Sequence, residues 1–211
     1  MEWVICFSQA HQATSCSIKQ PAADLHFETS TVAKAICLYD SKSIRVLPMV
    51  LSNFSHYSPF HIGLNMMVLY SFSDLGVHLF GKENFMALYL SSGVVSAFAS
   101  YAYKVATHSL APSLGASGAI LGILASACIE RPDIKLMIIF LPFFTFSSAT
   151  ALKGLILLDS LGLVLRWGFF DHAAHLGGTL FGVFYSFELK EYMSKHRATV
   201  INHWNDLKQK F

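Results

Sequence analysis

Charged side chains are scarce in this chain. They make up 13% of its 211 residues, whereas apolar side chains make up 54%. An ordinary soluble domain carries about 25% charged residues. The formal net charge is only +2, and no basic stripe with interleaved aromatics occurs, so no nucleic-acid partner is expected. The deficit of charge predicts an integral membrane protein that is surrounded by a lipid bilayer.

Cysteine motifs are missing as well. The four cysteines are Cys6, Cys16, Cys37 and Cys128, and they form no Cys-x-x-Cys pair. Three lie in the polar N-terminal region and one lies in an apolar run. The spacing therefore predicts neither a disulfide framework nor a zinc site, and the cysteines are interpreted as free thiols.

The first 55 residues lack an apolar run near 20 residues and contain scattered acidic side chains. The opening "MEWVICFSQA" has neither the basic start nor the clear cleavage site of a secretory signal. A mitochondrial transit peptide is rich in arginine, yet Arg45 is the single arginine in this segment. We predict that residues 1–55 form a polar region that is disordered or divergent, and no targeting signal can be read from it.

Five apolar segments follow, and a membrane-spanning helix needs about 20 such residues. They predict an all-α, polytopic membrane helix bundle over residues 56–190, followed by a polar tail over 191–211 that suits a solvated or membrane-surface helix. The predicted spans are A (60–80), B (85–103), C (114–129), D (149–167) and E (171–187).

The region before span D is ambiguous. Residues 136–152 are uncharged but interrupted by Pro142, and residues 154–168 contain Asp159. The two pieces are either two short spans or one span after a segment at the membrane surface. Because Pro142 removes a backbone donor, we place 136–148 at the membrane interface and count span D alone. The sequence offers Asp159 no partner.

The direction of the spans brings three polar residues together. Spans A, C and E enter the bilayer from the same side, because B and D return the chain. His61, Ser117 and His175 each lie near the start of one of these spans, within about 6 Å of the same face at 1.5 Å per residue. This convergence requires that the ambiguous region is crossed only once.

These residues have the chemistry of acyl transfer. A serine hydroxyl is a weak nucleophile until a base accepts its proton, and imidazole suits that role near neutral pH. Ser117 and His175 are therefore the candidate catalytic pair. His61 and Asn65, spaced i and i+4 on one helix face, are candidate oxyanion donors, together with backbone N–H groups at the start of span C.

Glycines give spans C and E a way to approach each other. The Gly-x-x-x-Gly pairs allow helix backbones to pack closely in lipid. The candidate packing glycines are Gly115, Gly118 and Gly122 in and before span C, and Gly178 and Gly182 in span E.

Plainer interpretations exist for several of these residues. The glycine pairs also occur in ordinary helix packing, and Ser117 could hydrogen-bond within its own helix. Asn65 could link two helices without any catalytic role. Asp171 could orient His175 from four residues earlier, or it could act as the acid at the start of span E.

The motifs "HIGLN" (61–65), "GASGA" (115–119) and "AHLGG" (174–178) resemble those of rhomboid intramembrane serine proteases. The resemblance covers roughly residues 47–188, and the fuller wording is most similar to the mitochondrial presenilin-associated rhomboid-like subfamily. It implies a rhomboid-like fold in the mitochondrial inner membrane, a dyad of Ser117 and His175, and an oxyanion site at His61 and Asn65. It implies no metal and no organic cofactor.

The resemblance also implies a function, namely a serine endopeptidase that hydrolyses a peptide bond in or near the transmembrane segment of a membrane-protein client. The family's first span is not evident in residues 1–46, so the alternative is a catalytically inactive rhomboid-like protein that binds transmembrane clients. A third hypothesis, a small channel or carrier, is less favoured because the sequence shows no paired inverted repeats.

Overall fold

Helices make up most of the described part of the chain. The computed structural model describes residues 46–56, 58–109, 115–138, 141–168 and 170–209, so most of the predicted polar region 1–55 lies outside it. Within these residues the helices are α1 (Val46–Leu51), α2 (Pro59–Phe80), α3 (Lys82–Thr107), α4 (Ser117–Glu130), α5 (Ser148–Val164), α6 (His172–Phe184) and α7 (Lys190–Gln209), with a single 3₁₀ turn at Ser52–Phe54.

Five of these helices coincide with the predicted spans. Helices α2 to α6 correspond in order to spans A to E, with ends that differ by a few residues. Within the described ranges, α3 is the one helix that is long and apolar enough by itself to cross a membrane, and α4 is a shorter apolar helix. The helical fold class is confirmed, while the number of membrane crossings stays a prediction.

Helix α4 forms the centre of the bundle, with α2, α3 and α6 packed around it. Its residues from Gly118 to Cys128 are nearly all buried, and most are glycine, alanine or serine. Small side chains let the neighbouring backbones approach closely. Larger apolar residues complete one core cluster around this helix: Phe80, Phe85, Leu88, Ile123 and Tyr185.

Apolar side chains cover the outside of the bundle, while small polar ones lie within it. Tyr70 is 82% exposed and Leu157 is 61% exposed on the outer faces of their helices. Ser92, Ser100 and Ser126 are fully buried. An exposed apolar surface of this kind would be unfavourable in water, so the arrangement is typical of helices that are surrounded by lipid.

The segment that we placed at the membrane interface folds as a β-hairpin, which the all-α prediction missed. Strand β1 (Lys135–Ile138) pairs with β2 (Leu141–Ser147) in antiparallel register, with Leu136 opposite Phe146 and Met137 opposite Thr145. Phenylalanine and threonine favour strands, and Pro142 disfavours a helix. The chain thus reverses within a short ribbon, and α5 begins directly after it.

A single π-helical turn joins α6 to α7. The turn covers Tyr185–Leu189, and the Ser126 hydroxyl donates 2.8 Å to the carbonyl of Gly182 just before it. The predicted polar tail is helical as α7. Its exposed Glu191 accepts a hydrogen bond from Lys195, which holds the pKa of Glu191 below its usual value.

Candidate active site

Ser117 is the first residue of α4, and the chain enters that helix through a glycine. Gly115 has φ +125°, a conformation that side chains rarely adopt, and its N–H donates 2.9 Å to the carbonyl of Ser52. The first helical hydrogen bond is donated by the N–H of Ile120 to the carbonyl of Ala116. The backbone N–H groups at the start of α4 therefore have no acceptor within the helix, which makes this end suitable for binding a negative charge.

The imidazole of His175 faces the hydroxyl of Ser117. Nε2 of His175 lies 3.0 Å from Oγ of Ser117, across the contact between α6 and α4. This separation is within the 2.6–3.2 Å range that proton transfer between nucleophile and base requires. The His175 side chain is 17% exposed, so most of its surface is covered by protein and a small part remains accessible.

Glycines on both helices permit this contact. A Cβ atom added at Gly178 would overlap the carbonyl oxygen of Gly118, and one added at Gly182 would overlap that of Gly122. The Gly-x-x-x-Gly pairs therefore lie at the crossing of α4 and α6, as their spacing suggested.

The two candidate oxyanion donors lie in the first turns of α2. The hydroxyl of Ser58 caps this helix by accepting the N–H of His61 at 3.1 Å. The His61 ring lies directly beside Gly115, where an added Cβ would come within 2.8 Å of Cε1. Asn65 is buried, and its Nδ2 donates 3.0 Å to the carbonyl of His61. A carboxamide has two N–H donors, and this bond uses one of them.

Asp159 lies beside the candidate catalytic pair, although no partner for it can be recognised in the sequence alone. Its Oδ1 lies 2.8 Å from Nδ1 of His172 and 3.4 Å from Nδ1 of His175, and its side chain is 2% exposed. An ionisable residue inside a predicted span is a general sign of function. The short connection between α5 and α6 also places Asp159 at the same end of the bundle as both histidines.

His172 packs flat against α5. A Cβ atom added at Gly162 would lie 2.5 Å from three atoms of the His172 ring. The rings of Trp167 and Phe170 lie 6.1 and 6.0 Å from it, centroid to centroid. Its Nε2 is buried and has no hydrogen-bond partner within the described residues. The contact with Asp159 is thus the polar contact that the structure shows for this side chain.

The side chain of Asp171 caps α6 and pairs with α3. Its Oδ1 accepts the N–H of Ala174 at 3.1 Å and so caps α6. Its Oδ2 accepts from Lys104 at 3.1 Å and from Ser100 at 2.5 Å. The interpretation of Asp171 as the acid at the start of this helix is confirmed. Within the described ranges, no group of three or more His, Cys, Asp or Glu residues could hold a metal ion.

Comparisons with known proteins identify the family of this chain. The Rhomboid domain model matches residues 44–192. The chain is 54% identical to presenilin-associated rhomboid-like protein A, mitochondrial, of Danio rerio over 78% of its length, which is 43% of that protein. It is 48% identical to the Bos taurus presenilin-associated rhomboid-like protein, mitochondrial, over 87% of its length and 46% of that protein. No solved structure matches.

A yeast protein is also similar. Rhomboid protein 1, mitochondrial, of Saccharomyces cerevisiae is 35% identical over 72% of this chain and 44% of that protein. The chain thus spans less than half the length of these relatives. Their names and the family match support a mitochondrial integral membrane protein. With a family model over most of its length and relatives at about half identity, this chain belongs to the rhomboid family.

Proposed function

We propose that this chain is a serine endopeptidase of the mitochondrial inner membrane, which hydrolyses a peptide bond in or near the transmembrane segment of a client protein. The observation that carries the proposal is the 3.0 Å separation between Ser117 Oγ and His175 Nε2. The unit responsible is residues 56–190, with spans A to E crossing the bilayer and residues 191–211 as its tail.

The first half of the reaction forms an acyl-enzyme. Oγ of Ser117 attacks the scissile carbonyl carbon, its proton moves to Nε2 of His175, and the carbonyl π electrons move to the oxygen. When this tetrahedral intermediate collapses, the C–N bond breaks and the departing amine takes the proton from His175. The acyl group remains on Ser117 as an ester.

The second half releases the acyl group. A water molecule attacks the ester carbonyl and gives a proton to His175. Collapse of the second intermediate returns that proton to Oγ of Ser117 and frees the carboxylic acid. No redox step and no cofactor are needed. Every proton and every electron pair in the two halves comes from Ser117, His175, the peptide or water.

The negative oxygen formed in both halves needs hydrogen-bond donors. The amides at the start of α4 are suited to this role because they have no helical acceptor. The His61 ring, beside Gly115, and the Asn65 carboxamide lie on the neighbouring helix α2. We assign the oxyanion to these three sources.

Client access is supported by the exposure of one side of the site. Phe170 is 64% exposed, and its ring centroid lies 5.9 Å from that of His175. A client helix must unwind there, because an intact helix hides its peptide carbonyls. Partners of this protein are therefore expected to be transmembrane proteins with a helix that unwinds easily.

A fluorophosphonate probe tests the proposal, because it reacts with an activated serine. The full chain in detergent micelles should become labelled at Ser117, and Ser117→Ala should abolish labelling. Ser91→Ala is the matched control, since Ser91 is an exposed serine on α3 whose hydroxyl bonds to its own helix. Labelling that survives Ser117→Ala would contradict the proposal.

The second candidate function is an inactive rhomboid-like protein that binds transmembrane clients. The names of the similar vertebrate proteins, which say rhomboid-like, favour it. A folded wild-type chain that stays unlabelled, yet crosslinks to a transmembrane peptide carrying a photoreactive group, would support this candidate over the protease.

A further inference from the structure

Helix α7 has an apolar stripe that the described residues leave largely uncovered. Its large apolar side chains recur at helical spacing along one face, at Met193, Val200, Trp204 and Leu207. Met193 packs against the core cluster around α4, whereas Val200 is 66% exposed and Trp204 is 56% exposed. A row of exposed apolar side chains is unfavourable in water and marks a contact surface. This face of α7 therefore suits an apolar partner.

Charged side chains on α7 are segregated about this stripe. Arg197 and Lys208 are about three helical turns apart, so they form a cationic row along one edge of the stripe. The Lys208 ammonium lies 5.5 Å from the centroid of the Trp204 ring. At 3.6 residues per turn, Glu191 and Asp206 lie on the opposite face of the helix. The apolar face is thus bordered by positive charge, and the acidic side chains point away from it.

The start of α7 is fixed to one end of the helix bundle. Its helical backbone continues from α6 through the π turn at Tyr185–Leu189. The Lys190 ammonium lies 2.7 Å from Oε2 of Glu130, the last residue of α4, which is the end opposite Ser117. A π turn is a place where a helix can bend. Since α7 directly follows the last predicted span of an integral membrane protein, a bilayer surface lies within reach of the stripe.

We propose that α7 lies on the bilayer surface and binds anionic phospholipid headgroups. Val200, Trp204 and Leu207 insert below the headgroups, while Arg197 and Lys208 bind the phosphate oxygens. An amphipathic helix with tryptophan on its apolar face and basic side chains beside it has the composition of interfacial helices. The connection to α6 keeps α7 at the membrane and so raises the effective concentration of lipid around it.

The charge pattern favours lipid over a second copy of this chain. Two α7 helices packed through their stripes would bring the cationic rows of both copies to one interface. Glu191 and Asp206 lie on the opposite face and could not neutralise these rows there. Anionic headgroups supply that negative charge, and each Lys or Arg near such a surface strengthens binding about fivefold.

Hydrogen exchange followed by mass spectrometry measures this docking in the full chain. The protein is incorporated at one copy per nanodisc, either in phosphatidylcholine alone or in equal amounts of phosphatidylcholine and phosphatidylglycerol. The backbone amides of residues 199–208 should exchange about tenfold more slowly in the anionic discs, because two cations contribute to docking. High salt should remove most of this difference, since it screens charges at the surface.

Two matched substitutions test the role of the cationic row. Arg197→Gln removes a positive charge beside the stripe. Lys195→Gln removes one on the opposite face, where Lys195 pairs with Glu191. Glutamine has nearly the helix propensity of both residues, so the helix itself should be retained. In anionic discs Arg197→Gln should weaken the protection about fivefold, and Lys195→Gln less than about twofold.

Three results would overturn the proposal. Equal exchange in neutral and anionic discs would show that headgroup charge has no role, whether α7 is protected or not. Equal loss of protection in the two variants would show that the row beside the stripe is not what binds. Protection that needs two copies in one disc would assign the stripe to a second copy of the chain. None of these measurements uses activity, so their outcome is separate from that of fluorophosphonate labelling at Ser117.

Discussion

Gly178 on α6 faces the carbonyl group of Gly118 on α4 with no space for a side chain between them. Ser117 directly precedes Gly118, and His175 lies about one helical turn before Gly178. The closeness of the two glycines therefore sets the distance between the two candidate catalytic side chains. One methyl group at this crossing has to push the helices apart or be accommodated by bending one of them.

Gly178→Ala should impair both stability and reactivity. Overpacking of this kind costs about 1–3 kcal/mol of unfolding free energy, and separation of α4 from α6 lengthens the contact between Ser117 and His175. Thermal unfolding in detergent and the rate of fluorophosphonate labelling measure the two effects.

Gly154→Ala on α5 is the matched control for this prediction. No heavy atom lies within 4 Å of a Cβ added at Gly154, so the same substitution should leave labelling unchanged and should not lower stability. Equal unfolding temperatures and labelling rates for Gly178→Ala and wild type would show that the crossing does not set the site geometry.

The sequence predicted the helices of this fold well, for a simple physical reason. A helix that crosses a bilayer needs a long apolar segment whose backbone N–H and C=O groups form hydrogen bonds within the helix. Hydropathy alone therefore locates most helix positions in such a protein. The hairpin over β1 and β2 was not foreseen because its apolar run has no net periodicity and its length fits either a strand or an interfacial segment. Pro142 was the one local signal against a helix.

The arrangement of the candidate site was predicted in part. Ser117, His175 and His61 each lie near the start of an alternate helix among α2 to α6, so the direction of these helices was sufficient to predict that the three residues lie together. Asp159 was missed because its contacts depend on how α5 is rotated about its axis. Hydropathy fixes the depth of a residue in the membrane but not the rotation of its helix, and only the packed structure shows which neighbour a side chain faces.

Lys104→Met should lower stability strongly. The Lys104 ammonium lies 3.1 Å from Asp171 Oδ2, and the two side chains are 8% and 25% exposed. Removal of the ammonium leaves the partly buried carboxylate with its hydrogen bonds from Ser100 and Ala174 but without a counter-charge. This loss costs about 3 kcal/mol, at the lower end of the range for such pairs. Denaturant unfolding in detergent measures the change.

Lys153→Met on α5 serves as its control. Lys153 is exposed, so loss of its charge should change stability by no more than about 0.5 kcal/mol. If the two substitutions destabilised the protein equally, the pair between α3 and the start of α6 would have no special role in the fold.

Alanine substitution of two helix-capping serines separates an effect on stability from an effect on catalysis. Ser58 caps α2 by accepting the N–H of His61, and Ser147 caps α5 by accepting the N–H of Thr150 at 3.2 Å. Substitution of either by alanine should cost about 1 kcal/mol. Only Ser58→Ala should also slow cleavage of a transmembrane client, because α2 carries His61 and Asn65. Equal cleavage by both variants would place α2 outside the catalytic machinery.

Asn65→Ala is expected to affect the chemical step rather than client binding. Removal of one oxyanion donor lowers kcat by about 100- to 1,000-fold in enzymes where the donor points at the developing charge. Asn65 also donates to the His61 carbonyl one turn earlier, so some loss of stability will accompany the change and must be measured by thermal unfolding. A Ser71→Ala variant, which removes a similar bond within α2 at an exposed position, controls for that loss.

The kinetic constants decide the role of Asn65. A decrease in kcat with an unchanged KM in Asn65→Ala, absent in Ser71→Ala, would support the assignment. A rise in KM at constant kcat would instead show that the amide binds the client equally in the ground state and the transition state.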